Sequence, residues 1–358
     1  MKKQVGLMLM IILALTVVLS ACGSKSDNGA NNSNTGSNEG AASPGNSEAP
    51  ASKLKIGMAT DVGGVNDKSF NQSAWEALKK VTADTGAETK YLESKSDADM
   101  EPNLRAFVSE KYDLTWGIGF LFSDAMTKVA KENPDSKFGL IDATPTEALP
   151  NVESVAFAEN EGSYLVGVVA GLMTKTNKIG FVGGMKIPVI KKFEAGFKAG
   201  IEAVNPEAAK GLKINYVGDF SKPDLGKQAA ATMYDAGVDI IFHASGASGN
   251  GVFNEAKSRK DAGKDVWVIG VDKDQSLEFG DEITLTSMMK GVEAAVYKVS
   301  KDLIDGNWKG GQVVTLGLKD NGVGLPETST KNVPADVLAK VEEYKQKIIS
   351  GEITVPTE

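Results

Sequence analysis

A chain of 358 residues, 41% hydrophobic and 24% charged, has the makeup of a soluble globular protein and is too long for one ordinary core, so two domains are expected. A formal charge of −8, from 39 basic and 47 acidic residues, leaves no basic footprint for nucleic acid. One cysteine and one histidine exclude an internal disulfide, a thiol catalyst in the mature fold, and most catalytic triads and zinc sites.

The chain begins with Lys2 and Lys3, followed by an apolar run from Val5 to Leu19. Residues 1–21 therefore read as a secretory signal rather than a membrane span. Leu19-Ser20-Ala21-Cys22 resembles the bacterial lipobox, in which signal peptidase cuts before a diacylglycerated cysteine; the alternative is an ordinary signal peptide with an incidental cysteine. Lipidation at Cys22 would make the protein extracytoplasmic and anchor it to the bacterial cell membrane. Removing residues 1–21 takes away two lysines and no acid, leaving a net charge of about −10. From Cys22 to residue 53 the chain is Asn, Ser, Gly, Ala and Pro with scarcely a large apolar side chain, the composition of a disordered tether. Some 30 such residues reach roughly 30 Å.

Residues 54 to 78 then run from an apolar strand through Gly63-Gly64 into a helix, with Ser69 and Gln72 spaced as a capping box. Strand-like runs follow at Glu88 to Leu92, Leu114 to Ile118, Lys137 to Ile141 and Ser154 to Ala158, separated by amphipathic helical runs. A second series comprises Lys178 to Val182, Lys213 to Val217, Asp239 to His243, Val266 to Val271 and Ile283 to Met288. The alternation predicts two α/β lobes with parallel sheets, and the chain should first cross between them near residues 156–161. The tail offers a helix from Val292 to Asp305 and a strand from Val313 to Leu318.

Ligands of open α/β sheets collect outside the carboxyl ends of the strands. In the first series those ends carry Asp61, Phe120 to Asp124, and Asp142, with Asp67, Phe70 and Asn71 at the start of the first helix; in the second they carry Gly183-Gly184, Asp219, His243 to Gly251 and Gly270 to Gln275. Such convergence describes a cleft. The turn Val62-Gly63-Gly64-Val65-Asn66-Asp67 lacks the dinucleotide spacing and brings carboxylates where a pyrophosphate would lie. Ser248 has Asn250, not glycine, two residues on, so the glycine-rich stretch 245–251 is no nucleophile elbow and reads as a strand-to-helix turn or a ligand loop. His243 sits inside an apolar strand and reads as a core or rim residue. Asp272 suits a bidentate grip on a sugar diol, with Lys290 placed to donate to the same hydroxyls. Phe70 and Phe193, each at the start of a helix in its own lobe, could sandwich a planar ring.

Asp67-Lys68-Ser69-Phe70-Asn71-Gln72 with Ala74-Trp75-Glu76, Phe193-Glu194-Ala195-Gly196-Phe197, Gly246-Ala247-Ser248-Gly249, Gly270-Val271-Asp272 with Asp274-Gln275, and Thr286-Ser287-Met288-Met289-Lys290 resemble the basic membrane protein (BMP) family, the PnrA-like purine nucleoside receptors of ABC importers. The resemblance runs from the lipobox to about residue 320. It implies a type I periplasmic-binding-protein fold, two Rossmann-like lobes joined by a three-segment hinge. The first lobe would hold 54–158 and about 290–309, and the second 159–289 and about 310–358; this places the helix from Val292 on the first lobe and the strand from Val313 on the second. It further implies that Phe70 and Phe193 stack on the base, Asn71 bonds its edge, Asp124 shares polar recognition with Asp61, and Asp272, Lys290 and the Gly246 backbone hold the ribose.

The expected function is a receptor, not an enzyme, that binds a purine nucleoside such as guanosine, adenosine or inosine, without metal or cofactor, and as a monomer delivers it to ABC permease subunits. A receptor for a sugar or another small solute on the same fold is the nearest alternative. A secreted nucleoside-processing enzyme is a weaker one, because its short-spaced acids, Asp97-Ala98-Asp99 and Asp272-Lys273-Asp274, read more simply as polar turns.

Overall fold

The computed structural model describes residues 53–358, which form one compact unit; the signal segment, Cys22 and the tether up to residue 52 lie outside the described residues. In chain order the first series is β1 (Lys55–Thr60), α1 (Phe70–Thr85), β2 (Glu88–Glu93), α2 (Met100–Ser109), β3 (Leu114–Ile118), α3 (Ser123–Glu132), β4 (Phe138–Ile141) and β5 (Val152–Phe157). The second is α4 (Glu159–Met173), β6 (Ile179–Gly183), α5 (Pro188–Val204), α6 (Pro206–Lys210), β7 (Lys213–Tyr216), α7 (Pro223–Asp235), β8 (Ile240–Ala244), α8 (Gly249–Asp261), β9 (Trp267–Asp272), α9 (Ser276–Phe279) and β10 (Thr284–Lys290). The tail adds α10 (Val292–Ile304), β11 (Val313–Leu316), β12 (Val323–Gly324) and α11 (Ala335–Ile349).

The first sheet has the order β11-β5-β4-β3-β1-β2 and the second β12-β10-β9-β8-β6-β7. Among the described residues only the short β12 runs antiparallel to its neighbour. Each lobe thus repeats one pattern, with the first strand flanked by the second and third. Strands β1, β3, β6 and β8 are apolar and buried along nearly their whole length because helices cover both faces of a parallel sheet. The covering helices are amphipathic: α1 buries Ala74, Ala77, Leu78 and Val81, one side of a 3.6-residue repeat. Trp116, Phe107 and Phe138 fill the first lobe, and Phe181, Phe197 and Phe242 the second.

Two expectations are corrected. The strand at 313–316 belongs to the first lobe, where it pairs in parallel with β5 from Val313 with Ser154 to Leu316 with Phe157. Helix α10 packs on α1 in that lobe, and the eight residues from 305 to 312 return the chain to the unpaired edge of β5, whose N–H groups need acceptors. Gln312 and Leu316 carbonyls accept from Ser154 and Ala158. The third crossing consequently falls at 317–322, after which β12 pairs with Met289 and Lys290 of β10. The capping box of Ser69 with Gln72 also does not form. Asp67 caps α1 instead, its carboxylate accepting from the backbone N–H groups of Ser69, Asn71 and Gln72 at 2.9, 2.9 and 3.1 Å. A carboxylate outcompetes a hydroxyl at a helix N-terminus because it satisfies several orphan donors and complements the dipole.

Helices α4 and α5 pack closely enough that a Cβ on Gly196 or Gly200 would run into the carbonyls of Asn160 and Tyr164. This contact seats α5, and with it Phe193, against the first crossing.

Candidate functional site

Between the facing strand ends lies a cavity with about 560 Å³ of atom-free space, the open solvent at its mouth included. The two lobes line it in equivalent ways. The turn after β1 brings Phe70 and the helix after β6 brings Phe193. The end of β4 brings Asp142 and the end of β9 brings Asp272, with φ of 62° and 64°, a left-handed backbone that non-glycine residues rarely adopt. Strain of this kind, repeated at equivalent positions of two lobes, aims both carboxylates inward. The β3 and β8 turns use Gly119 and Gly246, also at positive φ, to bring backbone against the cavity.

Of the expected site residues, Asp61, Phe70, Asn71, Phe193, Gly246, Asp272 and Lys290 all line this cavity, whereas Asp124 does not. Asp124 lies exposed in the first turn of α3, lining a surface groove with Asp97, Glu101 and Arg105. The turn Phe120–Phe122 points Phe120 and Leu121 to the cavity and carries Asp124 past it; the acid that enters comes from the next strand, Asp142. Sequence reading missed the weight of Asp142, and of the apolar residues Ile187, Ile190 and Phe220 that close the second-lobe wall. Its position at a strand end was the available signal.

Lys290 organises the polar half. Its ammonium is 2.6 Å from Asp142 and 3.5 Å from Asp272, and lies 4.5 Å from the Phe70 ring centroid and 5.4 Å from that of Phe193. Burial alone would lower its pKa, but Asp142, Asp272 and Glu159 hold it above the ordinary lysine range. Burial pushes Asp142 up while Lys290 opposes the rise. Glu159, 3.2 Å from Lys192, is pushed up to about 7, first by burial and then by Asp142. Opposite them, Asn71 donates from Nδ2 to Asp61 Oδ1 at 2.8 Å and to Asp67 Oδ2 at 3.2 Å. Burial raises Asp61 to about 6 and Asp67 to about 7, against the pull of the N–H groups they accept from. Asn71 Oδ1, Asp142 Oδ1 and Asp272 Oδ1 are buried acceptors without a hydrogen-bond donor among the described residues. Such atoms are costly unless something donates to them.

The lobes also touch outside the cavity. Ser69 Oγ donates to Asp272 at 2.5 Å, Gln275 Nε2 to the Lys68 carbonyl at 2.9 Å, and Lys273 pairs with Glu76 at 2.8 Å. His243 is fully buried, bonded to Gln275 Oε1 at 2.8 Å and pushed down by burial to about 4, so it is a neutral strut of the β9 turn. Since the same Gln275 oxygen accepts from Val271 N, Nε2 of His243 is the donor. The two Asp-x-Asp runs serve turns: Asp99 accepts from Ser96 N and Asp274 from Ser276 N.

Two lobes of matching topology, crossed three times by the chain and holding a cavity between their facing strand ends, define a solute-binding protein of the type I periplasmic-binding-protein fold. Residues 53–358 match the Bmp family, described as ABC transporter substrate-binding protein PnrA-like, and the chain belongs to that family. It is 46% identical to the CD4+ T-cell-stimulating antigen of Listeria innocua over 99% of both chains. It is 38% identical to the ABC transporter nucleoside-binding protein BmpA of Lactococcus lactis over the full length of both, and 33% identical to basic membrane protein B of Borreliella burgdorferi over 86% of this chain and 89% of that one. Among solved structures, a solute-binding protein of an ABC transporter system from Aeropyrum pernix is 32% identical and superposes with a TM-score of 0.77, covering 85% of this chain and 94% of that one.

Proposed function

We propose that the cavity binds a purine nucleoside and that the closed, loaded protein presents it to an ABC permease. The observation that carries this reading is the pairing of one aromatic from each lobe, Phe70 and Phe193, with a polar half rich in unpartnered carboxylate and amide oxygens around Lys290. The rings suit the two faces of a base. Asp272 and Asp142 accept from ribose hydroxyls, Lys290 and the Gly246 backbone N–H donate to them, and Asp61 and Asn71 meet the base edge. A phosphate would bring negative charge against buried carboxylates, so nucleosides are favoured over nucleotides. The Lactococcus relative's name agrees with this ligand class. The work is binding and closure, with no covalent step; the ligand draws the lobes together by contacts available only in the closed form. The lipobox makes Cys22 the acylated residue, holding a monomeric receptor on the outer side of the cell membrane; Cys22→Ala should release the protein from the membrane fraction and abolish palmitate incorporation.

The test is isothermal titration of residues 53–358 with guanosine, adenosine, inosine, uridine, guanine and ribose, together with mass spectrometry of small molecules that co-purify. Micromolar or tighter purine nucleoside binding with far weaker ribose is expected. Silence from every nucleoside with a sugar co-purifying would transfer the site to the sugar reading.

A further inference from the structure

The base-edge corner of the cavity has a fixed hydrogen-bond polarity. Asn71 is 1% exposed, and its amide faces two carboxylates, Asp61 Oδ1 at 2.8 Å and Asp67 Oδ2 at 3.2 Å. Only the NH2 end can face two acceptors, so Oδ1 must point the other way, where it has no donor among the described residues. Asp67 cannot release it, because its two oxygens also hold the N–H groups of Ser69, Asn71 and Gln72. Asp61 spends Oδ1 on Gly63 N and Asn71. Its Oδ2 and the Phe70 ring both flank Gly119, where a built Cβ would stand 3.1 Å from that oxygen and 3.4 Å from the ring. A base stacked on Phe70 would meet these two acceptors at its edge, one from Asn71 and one from Asp61.

On the nucleoside reading, we infer that Asp61 is a proton-operated selector: as a carboxylate it admits 2-amino-6-oxopurines, and as a carboxylic acid it admits 6-aminopurines. Guanine offers neighbouring donors, N1–H and the 2-amino group, to the two acceptors. Adenine offers an acceptor, N1, beside a donor, the 6-amino group; it fits only when a proton from solvent sits between Asp61 and N1. Leaving such an edge mismatched costs far more than losing apolar contact. The proton is within reach near neutrality, because burial raises Asp61 to about 6, with Asp142 and Asp272 adding to the rise. The charged and titratable groups around it are Asp67 on its own loop, Glu93 of β2 bonded to Val65 N, Asp142 after β4, Asp272 of β9 and Lys290 of β10; the β3 turn contributes the uncharged Gly119, Phe120 and Leu121. Both nucleosides carry the same ribose, so titration of the ribose half cancels in their affinity ratio.

The experiment is calorimetric titration of the wild-type protein with guanosine and adenosine from pH 5 to 8, in buffers of different ionisation enthalpy. At pH 7.5 adenosine binding should take up close to one proton and guanosine binding almost none. The guanosine-to-adenosine affinity ratio should fall at least about tenfold between pH 7.5 and pH 5, as the folded carboxyl protonates. Asp61→Asn should remove both the differential proton uptake and the pH dependence of the ratio. Equal proton uptake, a ratio constant across the range, or a ratio still pH-dependent in the variant would each overturn the selector while leaving nucleoside binding intact. Binding of neither nucleoside would overturn the nucleoside reading itself, and the selector with it.

Discussion

Replacing Lys290 by methionine keeps the stem's bulk and deletes the charge that two buried carboxylates share. Lys290, Asp142 and Asp272 are each less than a tenth exposed, so solvent screens little of the loss. Breaking one partner of a buried ion pair costs about 3–5 kcal/mol. Protonation sets a ceiling on that cost: holding one carboxyl neutral at pH 7.5 against an unfolded pKa near 3.9 takes about 5 kcal/mol, and at pH 5 about 1.5 kcal/mol. The sign follows from the direction of the shift. Asp142 is already raised by burial, and loses in Lys290 the charge that opposes the rise. A carboxyl raised in the folded state favours folding while it is protonated and penalises it as pH climbs past the unfolded value. The Lys290→Met variant should therefore lose several kcal/mol by urea denaturation at pH 7.5 and much less at pH 5, and Lys290→Met with Asp142→Asn should regain most of the deficit. Equal denaturation midpoints for wild type and the single variant at pH 7.5, or a double variant no better than the single, would refute the shared-cation account.

Further outcomes follow from the same geometry. Phe70→Ala should weaken purine nucleoside binding by roughly 10- to 100-fold in calorimetry, the loss of one stacking face; Phe193→Ala should do the same and also lower stability by about 3–5 kcal/mol, because that ring is 2% exposed and packs on Phe242. Asp124→Ala should leave every ligand affinity within about twofold, since the side chain is exposed on α3, away from the cavity; a larger loss would return that acid to the site. Lys273→Ala removes a part-exposed bridge to Glu76 across the lobes and should raise the dissociation rate by no more than about fivefold, read by stopped-flow fluorescence.

The architecture was legible because buried parallel strands write themselves as short apolar runs between helical ones, and the ten strands of the two series, the largely exposed edge strands β2 and β7 included, were found within two residues of their observed ends. The site was legible wherever a residue's place followed from its element: Phe70 and Asn71 open a helix, and Asp272 ends a strand. Asp124 misled for a local reason, since the turn after β3 spends Phe120 to Phe122 on a single helical turn and rotates the following acid outward. The edge strand β11 misled for a global one. Four residues of Val-Val-Thr-Leu suit either sheet edge, and only the position of α10 on the first lobe selects β5. Ser69 carries the same lesson, because a capping hydroxyl and one that reaches Asp272 across the cleft look identical in sequence.

The two lobes repeat one frame, yet the site is polar on one side and aromatic on the other, and the origin of that asymmetry is a single register position. Met289 pairs with Asp272 in the second sheet, while Asp142 donates its N–H to Val155 in the first, so Lys290 is by register the counterpart of Phe157. The duplicated frame supplies a pair of inward acids, and one lysine whose counterpart in the first lobe is a phenylalanine resolves their repulsion. Its ammonium sits 5.6 Å from the Phe157 ring, so the two counterpart residues meet. With both acids drawn to one cation, Asp142 Oδ1 and Asp272 Oδ1 are left without a hydrogen-bond donor among the described residues, and a ligand that supplies several O–H and N–H donors to one side while presenting its flat faces to the aromatic rings satisfies more of this cavity closed than open. That difference, rather than the total number of contacts, is what shifts a two-lobed receptor toward closure.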